Sequence, residues 1–220
     1  MTLTSRLMEV SRDIWEAEKQ HPFVRGLGDG SLPAETFRFY LEQDYLFLIE
    51  YAKVFSIAAT RAPEPAMMAQ FANLAAETLN VEMDLHRSYC AEFGITPADL
   101  EQVEMAQTTS GYTGHLLSVA MRGDVADIIA AVLPCQWGYA EISRHLQAGG
   151  MPPEPRYVKW IEMYASDAFD DYGRWLRETL DGMQGITPER EARLKRIFRD
   201  SSRWEALFWE MAWQQAMWEV

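Results

Sequence analysis

The amino-acid sequence predicts an all-α fold, and three observations carry that prediction. Apolar residues recur at steps of three and four, as in Phe37, Leu41, Leu48, Tyr51 and Phe55. Such steps line one side of a helix. The two-residue alternation of a half-buried strand is nearly absent from the chain. Helix starts are also written out: Thr96-Pro97-Ala98-Asp99 and Thr187-Pro188-Glu189 each place a capping residue before a proline in the first turn.

Taken in order, residues 4–20 predict a first helix with Leu3, Leu7, Val10 and Ile14 on one face. His21-Pro22 ends it, and residues 25–30, with three glycines, are expected as a loop. Pro33 opens the next helix, with Glu35 in its first turn. Pro63 and Pro65 mark a turn. A long helix follows, carrying Phe71, Ala75, Thr78, Glu82 and Tyr89. Further starts are expected near Gly111 and Asp124. Residues 149–153, Gly-Gly-Met-Pro-Pro, form a loop. The helices on both sides of it have apolar faces that need partners, so it reads as a corner inside one domain spanning 1–220. The expectation is a single-domain helical bundle of eight or nine helices.

The chain has 220 residues, 48% of them hydrophobic and 24% charged, the composition of a globular domain. Its 20 basic and 33 acidic residues leave a net charge of −13. That balance repels phosphate-rich partners and argues against nucleic acid. No apolar run approaches the roughly 18 residues of a membrane span. The N-terminus is charged and amphipathic, unlike a signal peptide. Two cysteines make no disulfide framework, so a reduced, cytoplasmic setting is expected.

The chemistry concentrates on three stripes. Asp44 interrupts the apolar stripe Phe37, Leu41, Leu48, Tyr51, Phe55. A carboxylate there loses its water and needs a partner, a proton or a ligand. Glu205 stands on a C-terminal face with Trp204, Phe208, Met211, Ala212 and Gln215. Cys135 stands on the stripe Ile128, Val132, Cys135, Tyr139, Ile142, directly after Pro134, which removes a helical hydrogen bond. Each feature has a plain alternative. A buried Cys is often a small hydrophobe. A buried acid is often held by an Arg or a Tyr hydroxyl, and tyrosines such as Tyr112, Tyr139 and Tyr164 often pack a core. Tyr164 shares a face with Tyr157, Trp160, Ile161 and Ala168. Two inward acids, an inward thiol and many rings together favour a cavity for a small, flat, polar molecule. Glu82 and His86, one turn apart, read as a local helix pair. The Glu-x-x-His pairs of a di-iron bundle, zinc spacings and phosphate loops are missing, so no metal and no cofactor are expected.

Six segments carry a resemblance. They are Tyr40-Leu-Glu-Gln-Asp44-Tyr45 with Ala52-Lys53, Glu82-x-x-x-His86, Tyr112-Thr113-x-His115-Leu116, Pro134-Cys-Gln-Trp-Gly-Tyr139, Trp160-Ile-Glu-Met-Tyr164, and Trp204-Glu205 running into Phe208-Trp-Glu-Met-Ala212. In this order and spacing the chain resembles the thiaminase II (TenA) family of haem-oxygenase-like helical bundles over nearly its whole length. The resemblance implies an aminopyrimidine hydrolase of thiamin salvage. Such an enzyme converts 4-amino-5-aminomethyl-2-methylpyrimidine to the hydroxymethyl pyrimidine, in many members cleaves thiamin as well, and assembles as a homotetramer. It further implies Cys135 as nucleophile and Glu205 as proton donor. Asp44 would bind the amino-amidine edge of the ring, with Phe47, Tyr112, Tyr139 and Tyr164 around the pyrimidine. One departure stands out: the family commonly has a tyrosine where this chain has Phe47. The competing expectation is a non-catalytic, aminopyrimidine- or thiamin-binding or regulatory protein on the same scaffold.

Overall fold

The computed structural model describes residues 1–219, apart from the side chains of Glu82 and Leu85. Among these residues the chain forms twelve α-helices and one π-helical segment. In order they are α1 (Leu3–Glu9), α2 (Arg12–Lys19), α3 (Pro22–Asp29), α4 (Ala34–Arg61), α5 (Pro65–Glu77), the π segment (Thr78–Glu82), α6 (Met83–Glu92), α7 (Pro97–Leu100), α8 (Gln107–Arg122), α9 (Val125–Gly149), α10 (Pro155–Ala165), α11 (Asp167–Gly182) and α12 (Pro188–Gln214). No strand occurs among the described residues, as the periodicity predicts.

The helix count exceeds eight or nine because three stretches fold differently from their expectation. Residues 4–20 form two helices, broken at Val10 and Ser11. The break re-phases the buried face. Leu3 and Leu7 are buried, but past the break Ser11, Trp15 and Glu18 turn inward while Val10 and Ile14 are only half-buried. Residues 25–30 are not a loop but most of α3. His21 Nδ1 accepts the Phe23 N–H at 3.2 Å, Pro22 occupies the first turn, and Phe23, Val24 and Leu27 bury themselves. The Gly26 backbone meets Leu32 so closely that a Cβ would stand 3.1 Å from its backbone N. Gly30, at φ 82°, ends the helix in the left-handed region. The long helix from Pro65 is interrupted by the π segment.

Smaller differences follow the same logic. α8 starts at Gln107, not near Gly111, because Gln43 takes over the cap: its Oε1 accepts Ala106 N–H at 2.8 Å and Thr109 Oγ1–H at 2.9 Å. α10 stops at Ala165, so its buried face ends at Tyr164 and Ala168 is exposed. The Thr96 start is a full capping box, and Thr187 Oγ1 accepts Arg190 N–H at 3.2 Å. The corner at 149–153 separates α9 from α10 as expected.

The chain divides into two compact units. The first comprises Met1–Leu32 and Ile129–Glu210, the second Pro33–Ile128 and the residues from Met211 on. The first contains α1 to α3, α10, α11 and most of α9 and α12. It is closed by the buried Tyr157 hydroxyl donating to Leu32 O at 2.7 Å and by Thr4 Oγ1–H donating to Asp181 at 2.7 Å. The second is built around α4, whose buried positions include Phe37, Leu41, Asp44, Phe47, Leu48, Tyr51 and Phe55.

Candidate active site

In the second unit the α4 stripe is buried as its spacing predicts, and Asp44 is only 3% exposed within it. Its oxygen Oδ2 lies 2.6 Å from Nε2 of the buried His86 and accepts the Tyr40 hydroxyl at 3.3 Å. A carboxylate flanked by an imidazole and a phenol has the partners that burial demands, without an arginine. Helical spacing pairs His86 with Glu82, whose side chain lies outside the described residues; the structure places His86 on Asp44. Phe47, one turn beyond Asp44's neighbour Gln43, stacks on Tyr51 at 5.3 Å and tilts against Tyr112 at 4.9 Å. Tyr112 is 1% exposed on α8. Asp44, Phe47 and Tyr112 therefore share one packed, aromatic region of this unit.

The first unit carries the other four candidates. On α9, Ile128, Val132, Tyr139 and Ile142 are buried, whereas Cys135 in the same stripe keeps partial exposure. The second cysteine, Cys90, is fully buried, and burial pushes its thiol up to about 12, with the Glu42 and Asp44 carboxylates adding to the rise. Only a thiol that reaches a thiolate and a substrate can act as a nucleophile, so the two cysteines are well separated in kind. Tyr139 and Tyr164 meet edge-on at 5.0 Å, and Trp160 and Trp209 complete the cluster, with Tyr139–Trp209 at 5.1 Å. Cys135 lies one helical turn before Tyr139, and Glu205 one turn before Trp209. The two candidate reacting groups thus each stand one turn from a single ring–ring contact.

Glu205 is 4% exposed on α12, flanked by the buried Ser201, Ser202, Phe208, Trp209 and Ala212. The face differs in detail from its prediction: Trp204 is half-buried, and Gln215 is exposed because α12 ends at Gln214. A further acid is brought in by the re-phased α2. Glu18 is 4% exposed, its Oε1 has no hydrogen-bond partner, and burial raises its carboxyl well above the ordinary range, with the Glu205 charge reinforcing the rise. Its signal was present as the stripe Ser11, Trp15, Glu18, but continuing one helix through Val10 hides it.

Among the described residues no group of three or more His, Cys, Asp and Glu side chains is placed to hold a metal ion. No described helix is long and apolar enough to cross a membrane.

Residues 9–215 match the model of the TENA/THI-4/PQQC family. A Halalkalibacterium halodurans protein named aminopyrimidine aminohydrolase is 44% identical over 220 residues, covering 99% of this chain and 98% of its own. A Helicobacter pylori protein of the same name is 37% identical, covering 97% and 100%. Among solved structures, a TenA homologue from P. horikoshii OT3 superposes with a TM-score of 0.92 at 31% identity, covering 97% of this chain and 99% of that one. A Shewanella denitrificans domain described as having a heme oxygenase-like fold superposes at 0.77 with 15% identity over 98% and 93%, a likeness of fold alone. With its helices, its six ordered segments and a family match over nearly its entire length, the chain belongs to the TENA/THI-4/PQQC family and has an all-α, haem-oxygenase-like fold.

Proposed function

We propose that this protein is an aminopyrimidine aminohydrolase, replacing the amine of 4-amino-5-aminomethyl-2-methylpyrimidine with a hydroxyl in thiamin salvage, with thiamin as a second substrate. The observation that carries it is the standing of Cys135: the partly exposed member of an otherwise buried stripe, one turn from the Tyr139–Trp209 contact, in a chain 44% identical over its length to a protein of that name.

In this mechanism the Cys135 thiolate adds to the electron-poor pyrimidine. The electron pair driven into the ring expels the amine from the exocyclic methylene as Glu205 gives that amine its proton, and ammonia leaves. Water then adds to the methylene, its proton returns to the Glu205 carboxylate, and the thiolate departs from the ring as it entered. Atoms and charge balance with no redox step. Asp44 binds the amino-amidine edge of the ring, which matches a carboxylate bidentately once protonated. Tyr112, Phe47, Tyr139 and Tyr164 supply the aromatic surroundings a flat heterocycle favours. A homotetramer and a cytoplasmic location belong to the same proposal.

Purified protein incubated with the aminomethyl pyrimidine, and separately with thiamin, should form the hydroxymethyl pyrimidine by mass spectrometry. Cys135→Ser should abolish turnover, and Glu205→Gln should slow it by about a hundredfold or more. Tight pyrimidine binding without turnover would instead support a non-catalytic binding protein, a role Phe47 favours because it lacks the family's hydroxyl. Sedimentation equilibrium tests the tetramer.

A further inference from the structure

In the second unit α4 and α8 run side by side in the same direction, clamped at both ends by side chains of α4. At the far end Arg61 donates to Gly123 O at 2.7 Å and to Met121 O at 2.6 Å. At the near end stands Gln43, 1% exposed. Its Nε2 donates to Glu104 O at 3.0 Å, while its Oε1 accepts Ala106 N–H at 2.8 Å and Thr109 Oγ1–H at 2.9 Å. Between the two clamps, one turn from Gln43, Phe47 of α4 meets Tyr112 of α8 at 4.9 Å.

We propose that Gln43 is a positioning residue for pyrimidine binding, setting the register of α8 against α4 and so holding Tyr112 on Phe47 as one wall of the site. The inference rests on Tyr112 lining the pyrimidine.

The physical ground is the origin of the cap. Ala106, at the cap position of α8, makes no side-chain bond to the helix start. A cap supplied by a helix's own sequence fixes only where that helix begins. A cap supplied by a neighbouring helix also fixes where it lies. Gln43 engages both lone pairs of its oxygen and one N–H, which satisfies a buried amide and ties it to residues 104, 106 and 109 together. Such a clamp resists both sliding and rotation. A slip of one residue would move α8 about 1.5 Å along its axis and turn its side chains by about 100°, carrying Tyr112 off Phe47. Phe47 follows Gln43 by four residues and Tyr112 follows Thr109 by three, so clamp and ring contact occupy adjoining turns of both helices. Arg61 stands roughly 21 Å beyond Phe47 along α4 and grips only the last carbonyls of α8. It holds the helix without setting the ring.

Calorimetric titration with the hydroxymethyl pyrimidine tests this. Gln43→Met keeps the side chain's length and removes all three bonds, and the dissociation constant should rise about three- to tenfold, the contribution of one aromatic wall. Tyr112→Leu alone should raise it by a similar factor. In the double variant the two factors should not multiply, because both act through the same ring. Arg61→Met should lower the melting temperature and leave the dissociation constant unchanged. Thr109→Val, which removes one of the three bonds, repeats the cycle from the α8 side should Gln43→Met fail to fold. An unchanged constant in Gln43→Met, factors that multiply, or an Arg61→Met protein that binds as weakly as Gln43→Met would mean a merely structural clamp and overturn the proposal. If Tyr112→Leu alone binds as the wild type does, the ring does not line the ligand, and that reading of the site falls together with the positioning role. The two failures are therefore distinct.

Discussion

At the scale of single residues, burial together with partners separates chemistry from packing. Asp44 is an acid on an apolar stripe, and its spacing alone marks it as anomalous; the Tyr40 phenol one turn earlier is within reach of that spacing, but the imidazole of His86 comes from another helix and is invisible in periodicity. The two cysteines look alike in the sequence, yet one is sealed with its thiol pushed up to about 12 and the other keeps contact with solvent. Phe47 is 3% exposed against Tyr51 and Tyr112. The proposed mechanism assigns a hydroxyl at this position the role of donating to the developing Cys135 thiolate. A hydrogen bond to a charged group contributes about 1.5–3 kcal/mol, so Phe47→Tyr should raise kcat/KM by roughly ten- to hundredfold. An unchanged or lower rate would show that Tyr112 already fills that role.

At the scale of elements, α3 is the instructive case. Glycines at 26, 28 and 30 read as a loop by composition, yet two of them are sites of close approach within a helix. A Cβ at Gly26 would press on the Leu32 backbone at 3.1–3.3 Å, and the Leu32 N–H donates to Gly26 O at 3.0 Å. Gly26→Ala should therefore cost about 1–3 kcal/mol, against the usual helical gain from alanine. Gly114, exposed on α8 with nothing within 4 Å of its added Cβ, has no such obstacle. Gly114→Ala should stabilise by about 0.5–1 kcal/mol. Urea denaturation of the two variants checks both signs at once. Legibility at this scale depended on length. The 28 residues of α4 carry enough periods to phase their own inward face, whereas the short α1 and α2 are re-phased by a single break at Ser11.

At the scale of the whole molecule, each compact unit is assembled from two separate stretches of chain, and the dividing points fall inside α9 and α12. We read the chain as one domain on this ground. Calorimetry should show a single transition with calorimetric and van't Hoff enthalpies in agreement; two resolved transitions would refute it. Acid should weaken the first unit. The Arg199 guanidinium lowers Asp13 to about 2, and Arg6 with Lys195 lowers Glu191 to about 2. Carboxyls lowered in the folded state add stability above their ordinary range near 4, and that stability is lost as pH falls towards 2. The Asp13 pair is solvent-exposed and the Glu191 pair only half-buried, so the effect should be modest and should shrink in salt. Glu18 works in the opposite sense: its raised carboxyl costs stability as pH rises above its ordinary value, so Glu18→Gln should flatten the alkaline side of the same curve.

By itself the sequence determined the all-helical class, the inward faces of the long helices and the anomalous positions Asp44, Cys135 and Glu205, because a period of 3.6 residues encodes which side of a helix leaves water; the family was carried by the resemblance of its six ordered segments. Only the tertiary structure decided what each group meets there: His86 for Asp44, the Tyr139–Trp209 contact one turn from Cys135, and for the buried Glu18 the charge of Glu205 from a helix far away in sequence. Periodicity fixes a face but not its partner, since partners are chosen by packing between segments that no local pattern relates.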